Sequence, residues 1–81
     1  MNISVLFFGQ LVDITGAGPE SMRIPPASTV AELLTLLFQR WPALEKWEAS
    51  LLVAVNHEYA RRGDSIPEGA EVAIMPPVQG G

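Results

Sequence analysis

One segment of this chain, and only one, reads as a long amphipathic helix. From Val30 onward apolar residues recur at Leu33, Leu34, Leu37, Phe38 and Trp41, the spacing that aligns side chains on one face of an α-helix. Thr29 and Glu32 open the run in the T-x-x-E arrangement of a capping box, where each side chain satisfies a backbone N–H of the other residue. Pro42 then stops the helix, because the residue before a proline is pushed out of the helical region. Each stripe residue contributes roughly 1.5–3 kcal/mol when buried, so this face supplies most of a core. A lone stripe has to be covered by something else. The rest of the chain offers strands and no second helix long enough to cover it, so the helix must lie across one face of a sheet.

The strand segments are β-branched and aromatic. Residues 3–8 form the first, with Ser4 as its polar member. Alternation then turns Ile3, Val5 and Phe7 to the core and Leu6 and Phe8 to the other face. A connection over residues 10–19 holds a short helical turn at residues 11–14 and turn chemistry at Gly16, Gly18 and Pro19. Residues 20–24 are a second strand, antiparallel to the first, ended by Pro25 and Pro26. After the helix, residues 43–49 form a further short turn or helix. Residues 51–55, 58–60 and 71–75 are strands, separated by turns at Asn56-His57, Arg62-Gly63-Asp64 and Pro67-Glu68-Gly69. The order β-β-α-β-β-β in a chain of 81 residues predicts one α+β domain of β-grasp (ubiquitin-like) architecture, a mixed five-stranded sheet with one main helix packed on one face. Residues 1–75 form this domain and residues 76–81 an extended C-terminal tail.

Small domains often add disulfides or a metal to a marginal core. This chain has no cysteine, and His57 is its single histidine, which excludes a disulfide and argues against structural zinc. Its 48% hydrophobic content is high for so small a domain and leaves apolar surface for a partner. A net charge of −4 with five scattered basic residues argues against nucleic acid. No apolar run approaches the roughly 20 residues that span a membrane. The first ten residues carry neither a basic segment nor an apolar run of signal length, so the expected location is cytoplasmic. Neither phosphate-loop nor dinucleotide-binding glycine motifs occur. Ser65, His57 and Asp64 could be drawn together as a hydrolytic set, but three such residues occur in almost any chain. His57 reads as a solvated turn residue, and Arg62-Gly63-Asp64 as a turn. The chain alone is not read as an enzyme.

The C-terminus is the unusual feature. The last strand runs into Pro76-Pro77-Val78-Gln79-Gly80-Gly81. The prolines fix φ and hold the segment extended, giving a reach of about 20 Å from the sheet. A stiff tail loses less entropy when a partner orders it. Gly80 and Gly81 have no Cβ, so they fit a narrow channel and adopt any backbone angle an active site requires. The free carboxylate of Gly81 is the one unusual chemical group they present. The residues alone leave two readings open, a reactive carboxylate and an ordinary frayed end.

Leu6-Phe7-Phe8-Gly9-Gln10, Val55-Asn56, Gly69-Ala70-Glu71-Val72 and the terminal Pro-Pro-Val-Gln-Gly-Gly resemble the small subunits of molybdopterin synthase, the MoaD branch of the MoaD/ThiS sulfur carriers. The resemblance runs the full length of the chain, and its terminal motif is the most specific part. Val12 stands where the family often has a basic residue, and Ile74-Met75 where it often has an aromatic pair; both bear on partner contacts. The resemblance implies that an E1-like adenylating enzyme uses ATP and Mg²⁺ to adenylate Gly81 and that a sulfur donor then replaces the adenylate, giving a thiocarboxylate. The tail enters the large synthase subunit, where the sulfur attacks cyclic pyranopterin monophosphate and hydrolysis restores the carboxylate. Two deliveries build the dithiolene. The family also implies a heterotetramer of two carrier/large-subunit pairs. This chain itself binds no cofactor or metal in that scheme. Alternatives are a sulfur carrier for thiazole synthesis and a ubiquitin-like protein modifier joined through Gly81, for which Lys46 is the one lysine of the chain itself. A plain binding module whose tail does no chemistry is a third.

Strand alternation adds a partner surface. The first and last strands are neighbours in a β-grasp sheet, so Phe8 and Met75, with Tyr59, form an exposed apolar patch at the root of the tail. Aromatic residues and methionine are common interface anchors. The patch and the tail residues Pro76, Pro77, Val78 and Gln79 are the expected partner-binding residues. The competing reading packs Phe8 or Tyr59 against the long first loop.

Overall fold

Alternation in the first strand settles which face of the sheet is covered. In the computed structural model, which describes residues 1–77, β1 (Asn2–Phe7) buries Ile3, Val5 and Phe7 and leaves Ser4 and Leu6 half-exposed. β1 pairs antiparallel with β2 (Glu20–Arg23), setting Ile3 opposite Met22. On its other side it pairs parallel with β5 (Glu71–Met75), setting Val5 opposite Val72 and Phe7 opposite Ile74. β5 also pairs antiparallel with β3 (Leu52–Val55), which pairs antiparallel with β4 (Glu58–Tyr59). The result is a mixed five-stranded sheet in the order β2-β1-β5-β3-β4, the β-grasp architecture expected from the element order.

Strand ends differ from expectation by one residue, most instructively at Phe8. β1 stops at Phe7 because Gly9, with φ of +59°, bends the chain into a 3-10 turn over Gly9–Leu11 that continues as the short helix α1 (Val12–Thr15). β2 stops at Arg23, β3 begins at Leu52 and β4 ends at Tyr59. Ile24 still exchanges backbone hydrogen bonds with Met1, at 2.9 and 2.7 Å.

The long helix α2 (Val30–Arg40) forms as its sequence requires. Thr29 Oγ1 accepts the Glu32 N–H at 3.2 Å, and Glu32 Oε1 accepts the Thr29 N–H at 2.8 Å. The next free donors of the first turn, the N–H groups of Val30 and Ala31, bond to the carbonyls of Asp64 and Arg62 at 3.0 and 2.8 Å. Val30, Leu33, Leu34 and Leu37 are buried against Val5, Val53, Val72 and Ile74 in one apolar core. Phe38 and Trp41, expected in the same stripe, are only half-buried and pack at its margin. Phe38 lies about 100° around the helix from Leu37, and Trp41 stands beyond the last turn as the C-cap. The Trp41 ring meets Phe7 edge-on, with centroids 5.3 Å apart, and the Arg40 guanidinium lies over it at 4.5 Å. Pro42 then opens a 3-10 helix, Pro42–Trp47, that buries Leu44.

Arg62-Gly63-Asp64 is structural. The Arg62 guanidinium donates to the carbonyls of Glu48 and Leu51 at 3.1 and 2.8 Å, tying the loop before β5 to the end of the 3-10 helix. Among the described residues no helix is long and apolar enough to cross a membrane, and no group of three His, Cys, Asp or Glu is placed to hold a metal.

Candidate functional site

A helix on one face of a single sheet leaves the other face uncovered. Strand parity puts Ser4 and Leu6 on that open face from β1, Glu71, Ala73 and Met75 from β5, Leu52 and Ala54 from β3, and Tyr59 from β4. Leu6, Ala73, Ala54 and Tyr59 stand directly opposite one another in a row across four strands. Met75 stands opposite Leu52 in the adjacent row. Phe8 completes that row. Its backbone is still extended, with φ −124° and ψ 159°, and its N–H donates to the Ile74 carbonyl at 3.1 Å. One register step beyond the Phe7–Ile74 pair therefore sets Phe8 beside Met75.

The open face is thus apolar from Phe8 to Tyr59. Phe8 is 46% and Tyr59 76% exposed, and among the described residues they are the large hydrophobic side chains left exposed. Leu6, Leu52, Ala73 and Met75 are half-buried between them. Phe8, Met75 and Tyr59 share this face as alternation suggested, and the exposure of both aromatic rings does not fit the alternative in which the first loop covers them. Sequence reasoning missed Leu52 and Ala54. They join the face through the antiparallel register between β3 and β5, which no local pattern reveals.

Polar groups border the far end of the face, at the start of β5. Asn56 Oδ1 accepts the Glu71 N–H at 2.9 Å, and the Glu71 carboxylate lies 3.0 Å from His57 Nε2. Asn56 and His57 form the hairpin turn between β3 and β4, both at positive φ, and His57 is exposed. Asp64 instead accepts the backbone N–H of Arg61 at 2.9 Å. His57 and Asp64 thus serve different turns, and no hydrolytic set is assembled with Ser65.

The tail begins at the opposite end of the face. β1 and β5 run parallel, so their C-terminal ends emerge side by side, bringing Phe8 and Gly9 next to Met75 and Pro76. Pro76 has no N–H to donate, so the ladder ends there. Pro76 and Pro77 are half-buried. The remaining tail residues singled out by sequence, Val78, Gln79, Gly80 and Gly81, lie outside the described residues. The arrangement presents an apolar surface with Pro76, the first residue after β5, at its margin.

Comparison with known proteins bears on both features. The sequence model of the ThiS family matches residues 5–81. The molybdopterin synthase sulfur carrier subunit of Caenorhabditis briggsae is 34% identical over 83 aligned positions, spanning all of this chain and 99% of that one. The Homo sapiens protein of the same name is 30% identical over 82 positions, spanning 98% of this chain and 93% of its own. Among solved structures, SAMP1 from Haloferax volcanii, a small archaeal modifier protein, superposes with a TM-score of 0.85 at 27% identity over the whole of both chains.

Proposed function

The chain belongs to the ThiS family, and we propose that it is the sulfur-carrier subunit of a molybdopterin synthase. The observation that carries this reading is the match to named sulfur carrier subunits, which spans this chain through Gly81. Residues 1–75 serve as the docking body and residues 76–81 as the arm. The Gly81 carboxylate attacks the α-phosphate of ATP on an E1-like adenylating enzyme, with Mg²⁺ there, and pyrophosphate leaves. A sulfur donor then displaces AMP, leaving a thiocarboxylate. In the large synthase subunit that sulfur bonds to a carbon of cyclic pyranopterin monophosphate as a C–O bond of the substrate breaks and its oxygen leaves. Water then cleaves the thioester to Gly81, restoring the carboxylate and leaving the sulfur on the pterin. Two such deliveries supply the two sulfurs of the dithiolene.

In this scheme the chain supplies the reacting group and the partner supplies the active site, so the carrier alone is not an enzyme and holds no cofactor. The open face from Phe8 to Tyr59 is the surface offered to the large subunit and to the adenylating enzyme. The setting proposed for these steps is the cytoplasm. Gly80 and Gly81 allow the end of the arm to pass close to the partner's backbone.

The test is the intact mass of the protein after incubation with the adenylating enzyme, ATP and a sulfur source. Exchange of one oxygen for one sulfur, lost on deletion of Gly81, is the expected result. No exchange, with an activating enzyme that works on another carrier, rejects it. The likeness to the Haloferax modifier favours a second reading, in which activated Gly81 is joined to lysine amines of other proteins. That reading expects covalent adducts through Gly81 in place of a stable thiocarboxylate.

A further inference from the structure

Gly9 and Pro76 meet where the two parallel central strands end. A β-carbon on Gly9 would lie 2.9 Å from Pro76 Cγ and 3.4 Å from Pro76 Cδ, closer than side-chain contacts allow at the first of these. Gly16, Gly18 and Gly69 also have positive φ, +90°, +94° and +74°, but a β-carbon on any of them would meet nothing within 4 Å. Those three serve their turns alone. Gly9 serves a turn and also leaves the space in which the Pro76 ring rests. Pro76 is the first residue after β5, and its fixed φ ties the onward course of the chain to where its ring sits.

We propose that Gly9 is a positioning residue for sulfur transfer: it seats Pro76 and so sets the direction in which the reactive arm leaves the docking face. This rests on the carrier reading above. Phe8, one residue before Gly9, belongs to the docking face, and Pro76, one residue after Met75, begins the arm. The Gly9–Pro76 contact therefore fixes the arm relative to the bound surface. Once the face is docked, an arm that starts from a displaced seat brings its terminus to the substrate in the wrong place, and small misplacements of reacting groups slow chemistry strongly.

The test compares Gly9→Ala, Gly18→Ala, Pro76→Ala and the double variant Gly9→Ala/Pro76→Ala. Gly9→Ala and Gly18→Ala both place a β-carbon at positive φ, +59° and +94°, so the control carries at least as much backbone strain, but only the first adds an atom against Pro76. Pro76→Ala removes Cγ and Cδ, the atoms that the new β-carbon would meet. Each variant is loaded as the thiocarboxylate. Single-turnover sulfur transfer is then measured in the saturated complex with the large subunit, and the Kd of that complex is measured separately. Gly9→Ala is expected to slow transfer about tenfold with little change in Kd. Gly18→Ala is expected to change neither, and Gly9→Ala to have no further effect in the Pro76→Ala background. Equal behaviour of the two glycine variants, undiminished slowing in the Pro76→Ala background, or a loss confined to Kd overturns the inference. Should Gly9→Ala fail to fold, Pro76→Ala carries the test, because it removes the seat from the other side. Slower transfer within the saturated complex, whatever the change in Kd, is then expected, and unchanged transfer overturns the inference. If the unmodified chain takes up no sulfur at Gly81, the carrier reading fails and this inference fails with it. If the unmodified chain and Gly9→Ala transfer equally well, this inference alone fails.

Discussion

Replacing Phe8 with alanine separates what its ring does for the fold from what it does for a partner. A phenylalanine side chain presents about 200 Å², and 46% of Phe8 is exposed, leaving about 90 Å² for a partner to cover. At about 25 cal/mol per Å² that area stabilises a complex by about 2 kcal/mol, or about 30-fold in Kd. The covered remainder, about 100 Å², supports the domain by a similar amount, so Phe8→Ala is expected to lower Tm by about 10–15 °C. The backbone bond from the Phe8 N–H to the Ile74 carbonyl does not depend on the ring and survives the change. Circular dichroism gives the melting curve and a temperature at which both forms are folded, and calorimetric titration with the large synthase subunit at that temperature gives Kd. A variant that melts earlier as expected but binds within threefold of the original would refute the docking role of Phe8 while leaving its packing role intact.

Two further outcomes follow from the same geometry. Leu52 stands opposite Met75 in the row of the open face nearest the tail, so Leu52→Glu places an unpaired charge inside any contact made there. It is expected to weaken large-subunit binding more than Phe8→Ala does, and an unchanged Kd by titration would confine docking to the β1 side of the face. Thr29→Ala removes the acceptor for the Glu32 N–H far from the open face. It is expected to reduce stability by about 1 kcal/mol and Tm by about 4–8 °C, with sulfur uptake at Gly81 unchanged; a melting curve that does not move would show that the cap contributes nothing in this context.

What could be read from the sequence is what is decided locally. The capping box of Thr29 and Glu32 and the spacing of Val30, Leu33, Leu34 and Leu37 are properties of adjacent residues, and the helix formed accordingly. Alternation placed Phe8 on the open face even though the strand ends one residue earlier, because its backbone remains extended up to the bend at Gly9. Leu52 was not recognised, because its place beside Met75 depends on the register between two strands separated by a hairpin and a long loop. Gly9 stood out only as part of the Leu6-Phe7-Phe8-Gly9-Gln10 motif; its approach to Pro76 links opposite ends of the sequence and has no local signature. His57 was read as a solvated turn residue, which it is, but its approach to Glu71 again depends on strand neighbours.

The parallel pairing of β1 with β5 has the greatest consequence for function. Had these strands run antiparallel, the chain would leave β5 at the end of the sheet away from Phe8, beside polar residues such as Asn2. In the observed order the arm begins next to the most tail-proximal exposed aromatic ring, so one contact surface can bind the body and receive the arm. The sheet edges point the same way. β4 has two residues and β2 four, and Glu20 at the start of β2 is paired with Arg40 of the helix, so neither edge offers a long run of free backbone for strand addition. The long aliphatic side chains of α2 already cover the other face. Among the described residues the open face is thus the extended apolar surface left for a partner, and a partner seated there has Pro76 at its border.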